Sequence, residues 1–397
     1  MNSFEYQNPV KIVFGVGTFS RVGEEAAKLG KVALVVSYAE HEPLADVLDR
    51  ACALLAKAGV KATPFYEVEP NPEIGTVARG VAKAKSIKAD LVVGIGGGSA
   101  MDAAKAIAAG VCYKGDLWNM VYSRHDDVKA VPPERALPTL MVPTLPATGS
   151  EMNMCAVVTN AALGEKSYIW STCLFPKTSV LDPELTYGLP PFQTACGAID
   201  TISHVLEIYI NGQTKSALLH AWQEGLMRTV IHSLPLVLAD PEDEDARTEL
   251  MWCATCALNG WASPGDAWTP MHQVGHVLTT RHKVNHGTSL ALIMPAWMAR
   301  FKQWKPERYY SFARNVMQVT SHGKTNQQLI DAGIAAFRAF IEKSGVPTHL
   351  SQVGVNQTDL PAIVADVKKV SFNADGVLAC NPPVTEKELL EILKNAL

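Results

Sequence analysis

Leu91-Val92-Val93-Gly94-Ile95-Gly96-Gly97-Gly98-Ser99-Ala100-Met101-Asp102 is the stretch on which the reading of the fold turns. A β-branched apolar run ends in glycines, and the pattern that follows, Ser99 to Ala109, is helical. Glycines tolerate positive φ and let backbone N–H groups approach a ligand closely. The helix N-terminus behind them offers donors without intrahelical acceptors and a partial positive charge, which suits a phosphate. The dinucleotide fingerprint G-x-G-x-x-G is not met, because Ser99 occupies its last position and no acidic residue follows at a strand end ~20 residues on. The turn also comes after the third α/β strand instead of the first. Taken alone, it reads either as a phosphate cradle or as a tight connection.

Outward from this turn the first half alternates. Short strand patterns at Lys31–Ser37, Ala62–Val68, Ala89–Gly94 and Pro138–Val142 are separated by helical patterns at Pro43–Ala58, Pro72–Lys85 and Ser99–Ala109. That alternation predicts a parallel sheet covered on both faces, wound with right-handed crossovers, with Pro9–Phe14 as an extra edge strand. A second loop leaves a strand at Val142 and runs Pro143-Thr144-Leu145-Pro146-Ala147-Thr148-Gly149-Ser150-Glu151, small hydroxyl residues suited to a ligand crevice or to turns and caps. Beyond Leu181-Asp182-Pro183 the texture becomes helical, with amphipathic stretches at Phe192–Ile210, Lys215–Leu238, Ala246–Trp261, Gln327–Lys343 and Thr385–Leu397. Two domains are expected: residues 1–188, an α/β dinucleotide-binding domain with a parallel sheet, and residues 189–397, an all-α metal-binding domain.

Composition excludes several classes. The 397 residues exceed what one core usually organises. Hydrophobic residues make up 48% and charged ones 19%, so the chain folds. A net charge of −4 argues against a nucleic-acid partner. No window approaches ~18 uncharged apolar residues, so no membrane span is expected, and the first ten residues do not resemble a secretory signal. The eight cysteines form no framework of close spacings. The one Cys-x-x-Cys, Cys253 and Cys256, lies in an apolar helical run and reads as core. These features predict a cytoplasmic protein.

The histidines are concentrated. His272, His276, His282 and His286 fall within fifteen residues, and Asp200 and His204 form an Asp-x-x-x-His pair. At i and i+4 on a helix, Asp200 and His204 leave one face together. With two of the later histidines they offer a mixed N/O ligand set, suited to Fe, Zn, Co or Ni and not to Mg or Ca. The helix bearing His272 and His276 is expected to break after Thr280, with Asn285-His286-Gly287 as a returning loop. The residues leave open which two later histidines join the pair.

Together these segments resemble the iron-containing (group III) alcohol dehydrogenase family, in its butanol dehydrogenase-like aldehyde reductase branch. The resemblance runs over nearly the whole chain: Val13-Phe14-Gly15-x-Gly17, Glu69-Pro70-Asn71-Pro72, Gly96-Gly97-Gly98-Ser99-x-x-Asp102, Thr144 to Glu151, Leu181-Asp182-Pro183, Asp200-x-x-x-His204, the histidine cluster, and Gly345-Val346-Pro347-Thr348-His349-Leu350. It implies a dinucleotide-binding half and a helical metal-binding half with the site in the cleft. It also implies metal ligands Asp200, His204, His272 and His286, with His276 facing substrate and nicotinamide. Gly97, Gly98, Ser99 and Asp102 would form the pyrophosphate site, Thr144, Leu145 and Thr148 the nicotinamide side, and Asn71 and Lys166 the outer nucleotide contacts.

The resemblance implies hydride transfer between NAD(P)(H) and a short-chain alcohol or aldehyde, with a divalent metal polarising the oxygen and His276 relaying the proton. Relatives preferring NAD carry an aspartate after the second strand, where this chain has Tyr38 in Val36-Ser37-Tyr38-Ala39-Glu40-His41. The glycine-rich turn common in the NADP-using branch is also absent, Glu40 would disfavour a 2′-phosphate and His41 favour one; on balance NADP(H) is favoured over NAD(H). Trp261, Trp268 and Met152 are candidate pocket walls. Rival readings are a glycerol or polyol dehydrogenase and a dehydroquinate synthase-like lyase. The lyase would need a basic cluster, and only Arg281 and Lys283 lie near the later histidines. Analogy with the branch suggests a homodimer.

Overall fold

The computed structural model describes residues 3–122, 130–264 and 269–397. The chain divides into two compact units. One comprises Gln7–Leu189 with Pro241–Met251. The other comprises Pro190–Asp240 with Trp252–Leu397, and the residues up to Tyr6 group with it.

The first unit begins with β1 (Lys11–Phe14) and α1 (Val22–Ala27). It continues through β2 (Val32–Tyr38), α2 (Ala45–Lys57), β3 (Lys61–Val68), α3 (Ile74–Ser86), β4 (Leu91–Gly96), α4 (Gly98–Cys112) and β5 (Thr139–Pro143). An antiparallel hairpin, β6 (Cys155–Asn160) and β7 (Glu165–Trp170), precedes β8 (Thr178–Leu181). The six-stranded sheet has the order β1-β8-β5-β4-β2-β3 and is parallel throughout. The expected edge strand is β1, paired to β8. Neither β8 nor the hairpin was expected from the sequence.

Strand periodicity explains how both faces are filled. Leu34 and Val36 of β2 join Val92 and Met141 in a core with Val77 of α3 and Ile107 of α4. Their neighbours Ala33 and Val35 join Leu91, Val93 and Ile95 in a second core with Val22 of α1 and Leu48 of α2. From β2 the chain first crosses to β3, then returns to β4 on the other side of β2. The crossovers therefore diverge between the carboxyl ends of β2 and β4, the topological switch point where open α/β sheets bind ligands. This is why the glycine turn follows the third strand of the α/β series. In this strand order the third strand, not the second, lies beside the first at the switch point.

The second unit is built on helices α5 (Pro191–Asn211), α6 (Ala217–Ala239), α7 (Glu244–Ala257, at whose Trp252 the unit resumes), α8 (Pro270–His282), α9 (His286–Phe301), α10 (Pro306–Ser311), α11 (Asn326–Lys343), α12 (Leu360–Ser371) and α13 (Glu386–Asn395). α5 packs against α6 and α9, and α8 against α9. The structure corrects three sequence expectations. α7 ends at Ala257, short of Trp261, and the helix before the histidine loop continues to His282. His286 opens α9 instead of lying in a loop, because the Asn285 side chain accepts from the Gly287 N–H at 2.9 Å and caps the new helix. Cys253 and Cys256 are buried, as a core reading requires.

Candidate metal centre and cofactor turn

Asp200 and His204 lie one turn apart on α5, His272 and His276 one turn apart on α8, and His286 at the start of α9. Asp200 Oδ1 faces His272 Nε2 at 3.4 Å, His286 Nε2 at 3.5 Å and His204 Nε2 at 3.9 Å. Donors that share a cation at ordinary bond lengths lie about 3.4 Å apart when tetrahedral. Ligand atoms of Asp200, His204 and His272 all fall within 4.8 Å of one another. Among the described residues, Asp200 Oδ1 and His272 Nε2 are buried without a hydrogen-bond partner. A buried carboxylate oxygen left so is costly, and a cation with a preference for nitrogen and oxygen donors fits the gap.

The electrostatics agree with that fit. Burial works against ionisation of Asp200, yet His204, His286 and His272 outweigh it and hold the carboxyl well below its ordinary range. Burial pushes the His204 imidazole down to about 4, so its ring stays neutral and able to donate a lone pair. Burial also acts against a charged His272, but Glu207 and Asp200 overcome it and raise the group to about 9. The field at this point is one that retains positive charge.

Glu207 was not anticipated. It lies on α5 at i+7 from Asp200 and i+3 from His204, and is fully buried. Its Oε1 meets His272 Nδ1, and its Oε2 accepts the Met271 N–H. The spacing Asp200-x-x-x-His204-x-x-Glu207 on one helical face was the available signal. His276 is buried with its ring centroid 5.6 Å from that of His286 and 6.3 Å from that of His272. Of the four clustered groups, His286 is the most open, its side chain 24% exposed against 3–7% for the others.

In the α/β unit the residues expected to bind a cofactor converge at the ends of β4 and β5. Gly97 precedes α4, and its N–H donates to the Tyr38 hydroxyl at 3.1 Å. Burial pushes this hydroxyl up to about 12. Of the N–H groups that a first helical turn leaves without partners, those of Gly98 and Ser99 remain on offer among the described residues. A Cβ at Gly98 would come within 2.5 Å of the Thr148 methyl, so the loop after β5 lies directly on the turn. Leu145 borders Gly97, and the Thr144 N–H bonds the Gly96 carbonyl at 3.0 Å. Ser99 Oγ accepts from the Asn71 N–H at 3.1 Å, and Lys166 Nζ donates to Asn71 Oδ1 at 2.7 Å. Asp102 points inward: Ser150 Oγ donates to its Oδ1 at 2.6 Å and the Val157 N–H to its Oδ2 at 3.0 Å. Met152 is buried in this unit. Trp261 packs between Trp222 and Trp252, at ring distances of 5.7 and 6.5 Å. Trp268 lies outside the described residues.

A glycine turn at a sheet switch point and a buried carboxylate ringed by imidazoles define a class: oxidoreductases that combine a nicotinamide dinucleotide with a metal. The comparisons narrow it. Residues 9–183 match the model of the iron-containing alcohol dehydrogenases, and residues 194–397 that of the C-terminal domain of the Fe-containing alcohol dehydrogenase family. The chain belongs to this family and is an NAD(P)-dependent alcohol dehydrogenase/aldehyde reductase. It is 35% identical over 400 residues to a probable NADH-dependent butanol dehydrogenase 1 of Bacillus subtilis (strain 168), covering 100% of both chains. It is 34% identical over 373 residues to the NADPH-dependent aldehyde reductase YqhD of Escherichia coli (strain K12), covering 93% of this chain and 94% of that one. The crystal structure of NADH-dependent butanol dehydrogenase A from Thermotoga maritima aligns with a TM-score of 0.91 at 35% identity, covering 100% of this chain and 99% of the other.

Proposed function

We propose that this enzyme interconverts short-chain aldehydes and alcohols at a divalent metal held by Asp200, His204, His272 and His286, with NADP(H) preferred over NAD(H). The observation that carries the metal assignment is the buried Asp200 Oδ1, without a hydrogen-bond partner among the described residues, facing three imidazole nitrogens at 3.4–3.9 Å. When bound there, the metal supplies a Lewis acid that polarises the carbonyl. The reduced nicotinamide supplies the hydride. Asp200 contributes the negative charge that retains the cation, and neutral imidazoles leave it net positive. His286, the most open of the four, marks the side on which the carbonyl oxygen enters. His276, buried beside His286 and outside the ligand set, delivers the proton to the oxygen that becomes the hydroxyl.

In the α/β unit the N–H groups of Gly98 and Ser99 bind the pyrophosphate, Thr144, Leu145 and Thr148 face the nicotinamide side, and Lys166 with Asn71 holds the outer part. Gly97 serves by anchoring on Tyr38. Asp102 serves by pinning the loop after β5 through Ser150. The cofactor preference rests on Tyr38. Its hydroxyl is turned into the glycine turn, so this position lacks the carboxylate that would accept the ribose hydroxyls and repel a 2′-phosphate, and Glu40, two residues on, is the remaining acid that weighs against one. His41 donates from Nδ1 to the Ala39 carbonyl at 3.0 Å, and its ring centroid lies 5.2 Å from that of Tyr66.

The test is NAD(P)H absorbance loss with butanal and other short aldehydes on metal-reconstituted enzyme. Turnover with NADPH exceeding that with NADH, and abolished by chelator, is expected. Chelator-resistant turnover overturns the metal role, and equal or higher NADH efficiency overturns the cofactor preference. We also propose a homodimer, since β1 forms an outer sheet edge suited to strand addition by a second copy. A monomeric mass by light scattering refutes it. Among the described residues no helix is long and apolar enough to cross a membrane.

A further inference from the structure

Glu207 touches no ligand-binding atom of the site, yet it is the buried group on which one ligand ring rests. We infer that Glu207 is a positioning residue for the metal: it locks His272 as the Nδ1–H tautomer, so that Nε2 faces Asp200 as a bare donor. This rests on the metal assignment above and adds to it a residue from outside the ligand set.

A carboxylate has no proton to give, so the Glu207–His272 contact requires His272 Nδ1 to be the donor. As a metal ligand the imidazole is neutral and carries one N–H, which puts the lone pair on Nε2, the atom that lies 3.4 Å from Asp200 Oδ1 and has no hydrogen-bond partner among the described residues. The second Glu207 oxygen accepts the Met271 N–H in the first turn of α8. That helix has no cap of its own, because the Thr269 side chain makes no capping bond. One carboxylate on α5 therefore fixes both the start of α8 and the rotation of the ring that follows it. α5 supplies two ligands and the support of a third from a single face, Asp200, His204 and Glu207.

The discriminating variant is Glu207→Gln. Its amide offers one acceptor where two N–H donors need one each. If its oxygen serves Met271, its NH2 faces Nδ1 and drives the imidazole proton to Nε2, against the metal. If its oxygen serves His272, the Met271 N–H loses its acceptor and the first turn of α8 loosens.

Metal-free wild type and Glu207→Gln are titrated with Co(II) and Zn(II) against a chromophoric chelator, with circular dichroism and melting of the metal-free proteins alongside. The expected result is a roughly 10- to 100-fold loss of affinity for both metals and an altered Co(II) visible spectrum, with the metal-free fold retained. Equal affinities and spectra overturn the inference, even if the melting temperature falls, since that outcome is a purely structural role. Should the variant not fold, nitrogen-15 spectra of histidine-labelled, Zn(II)-loaded wild type decide the matter. A proton on His272 Nδ1 supports the inference, and zinc or no proton at that nitrogen overturns it. If wild type binds neither metal, or Asp200→Asn binds as tightly as wild type, the metal assignment falls and takes this inference with it.

Discussion

His286 and His276 stand next to each other, with ring centroids 5.6 Å apart, and the proposed chemistry gives them opposite tests. His286 Nε2 lies 3.5 Å from Asp200 Oδ1, so His286→Ala removes a ligand. Metal content and turnover are expected to fall together. His276 has no place in the ligand group, so His276→Ala keeps its metal and loses roughly 10²–10⁴ in kcat. Metal analysis beside steady-state rates on both variants checks this, and full metal occupancy in His286→Ala counts against the ligand choice. The sequence went far at this scale. Four histidines in fifteen residues and an Asp-x-x-x-His pair marked out the residues of the proposed centre, but helical spacing alone favoured His272 with His276 as strongly as any other pair. The choice depends on where α9 starts, which is a packing outcome. Glu207 stayed unread because a lone glutamate in an apolar helix carries no pattern until its partner on α8 is in place.

Periodicity made the strands β2 to β5 and the helices between them legible, because each buries a regular face. The hairpin β6–β7 was missed. Its turn, Ala161 to Gly164, lacks the Asn-Gly or Asp-Gly signal that marks tight hairpins, and Lys166 and Glu165 break its apolar alternation while being buried. The start of α9 was misread for a related reason. Gly287 looks like a helix breaker, but it is there for close approach: a Cβ would stand 2.2 Å from the Cys196 carbonyl oxygen on α5. This backbone-to-backbone contact, one turn before Asp200, sets His286 against Asp200. Gly287→Ala is therefore expected to push α9 away, at about 1–3 kcal/mol of stability, and to weaken metal binding out of proportion to its single added methyl. Chelator competition measures the second effect and urea unfolding the first. Unchanged metal affinity would mean that His286 follows the displaced helix by a side-chain rotation.

Across the whole chain the metal and cofactor assignments fall in different units, and the α/β unit carries an acid-base signature at Lys105, away from the proposed metal ligands. Lys105, fully buried on α4, donates to the Asn153 carbonyl and side-chain oxygen, each at 3.0 Å, and to the Cys155 carbonyl at 2.8 Å. It thereby ties the glycine-turn helix to the start of the hairpin, beside Asp102. Burial pulls this ammonium down to about 8 from its ordinary 10.5, against the opposing charges of Asp102, Cys155 and Glu151. For a base with a depressed value the folded protein releases its proton first. Its contribution to stability is therefore present above 10.5 and is lost as pH falls through about 8. The unfolding free energy of wild type, relative to Lys105→Met, should rise by about 3 kcal/mol between those two pH values. At neutral pH Lys105→Met should nonetheless be the less stable protein, by about 3 kcal/mol or more, because it strands two carbonyls and the buried Asp102 without their cation. Urea unfolding at closely spaced pH values on both proteins gives the difference curve, and a flat one across this window would show that the Lys105 ammonium keeps its ordinary affinity for the proton inside the fold.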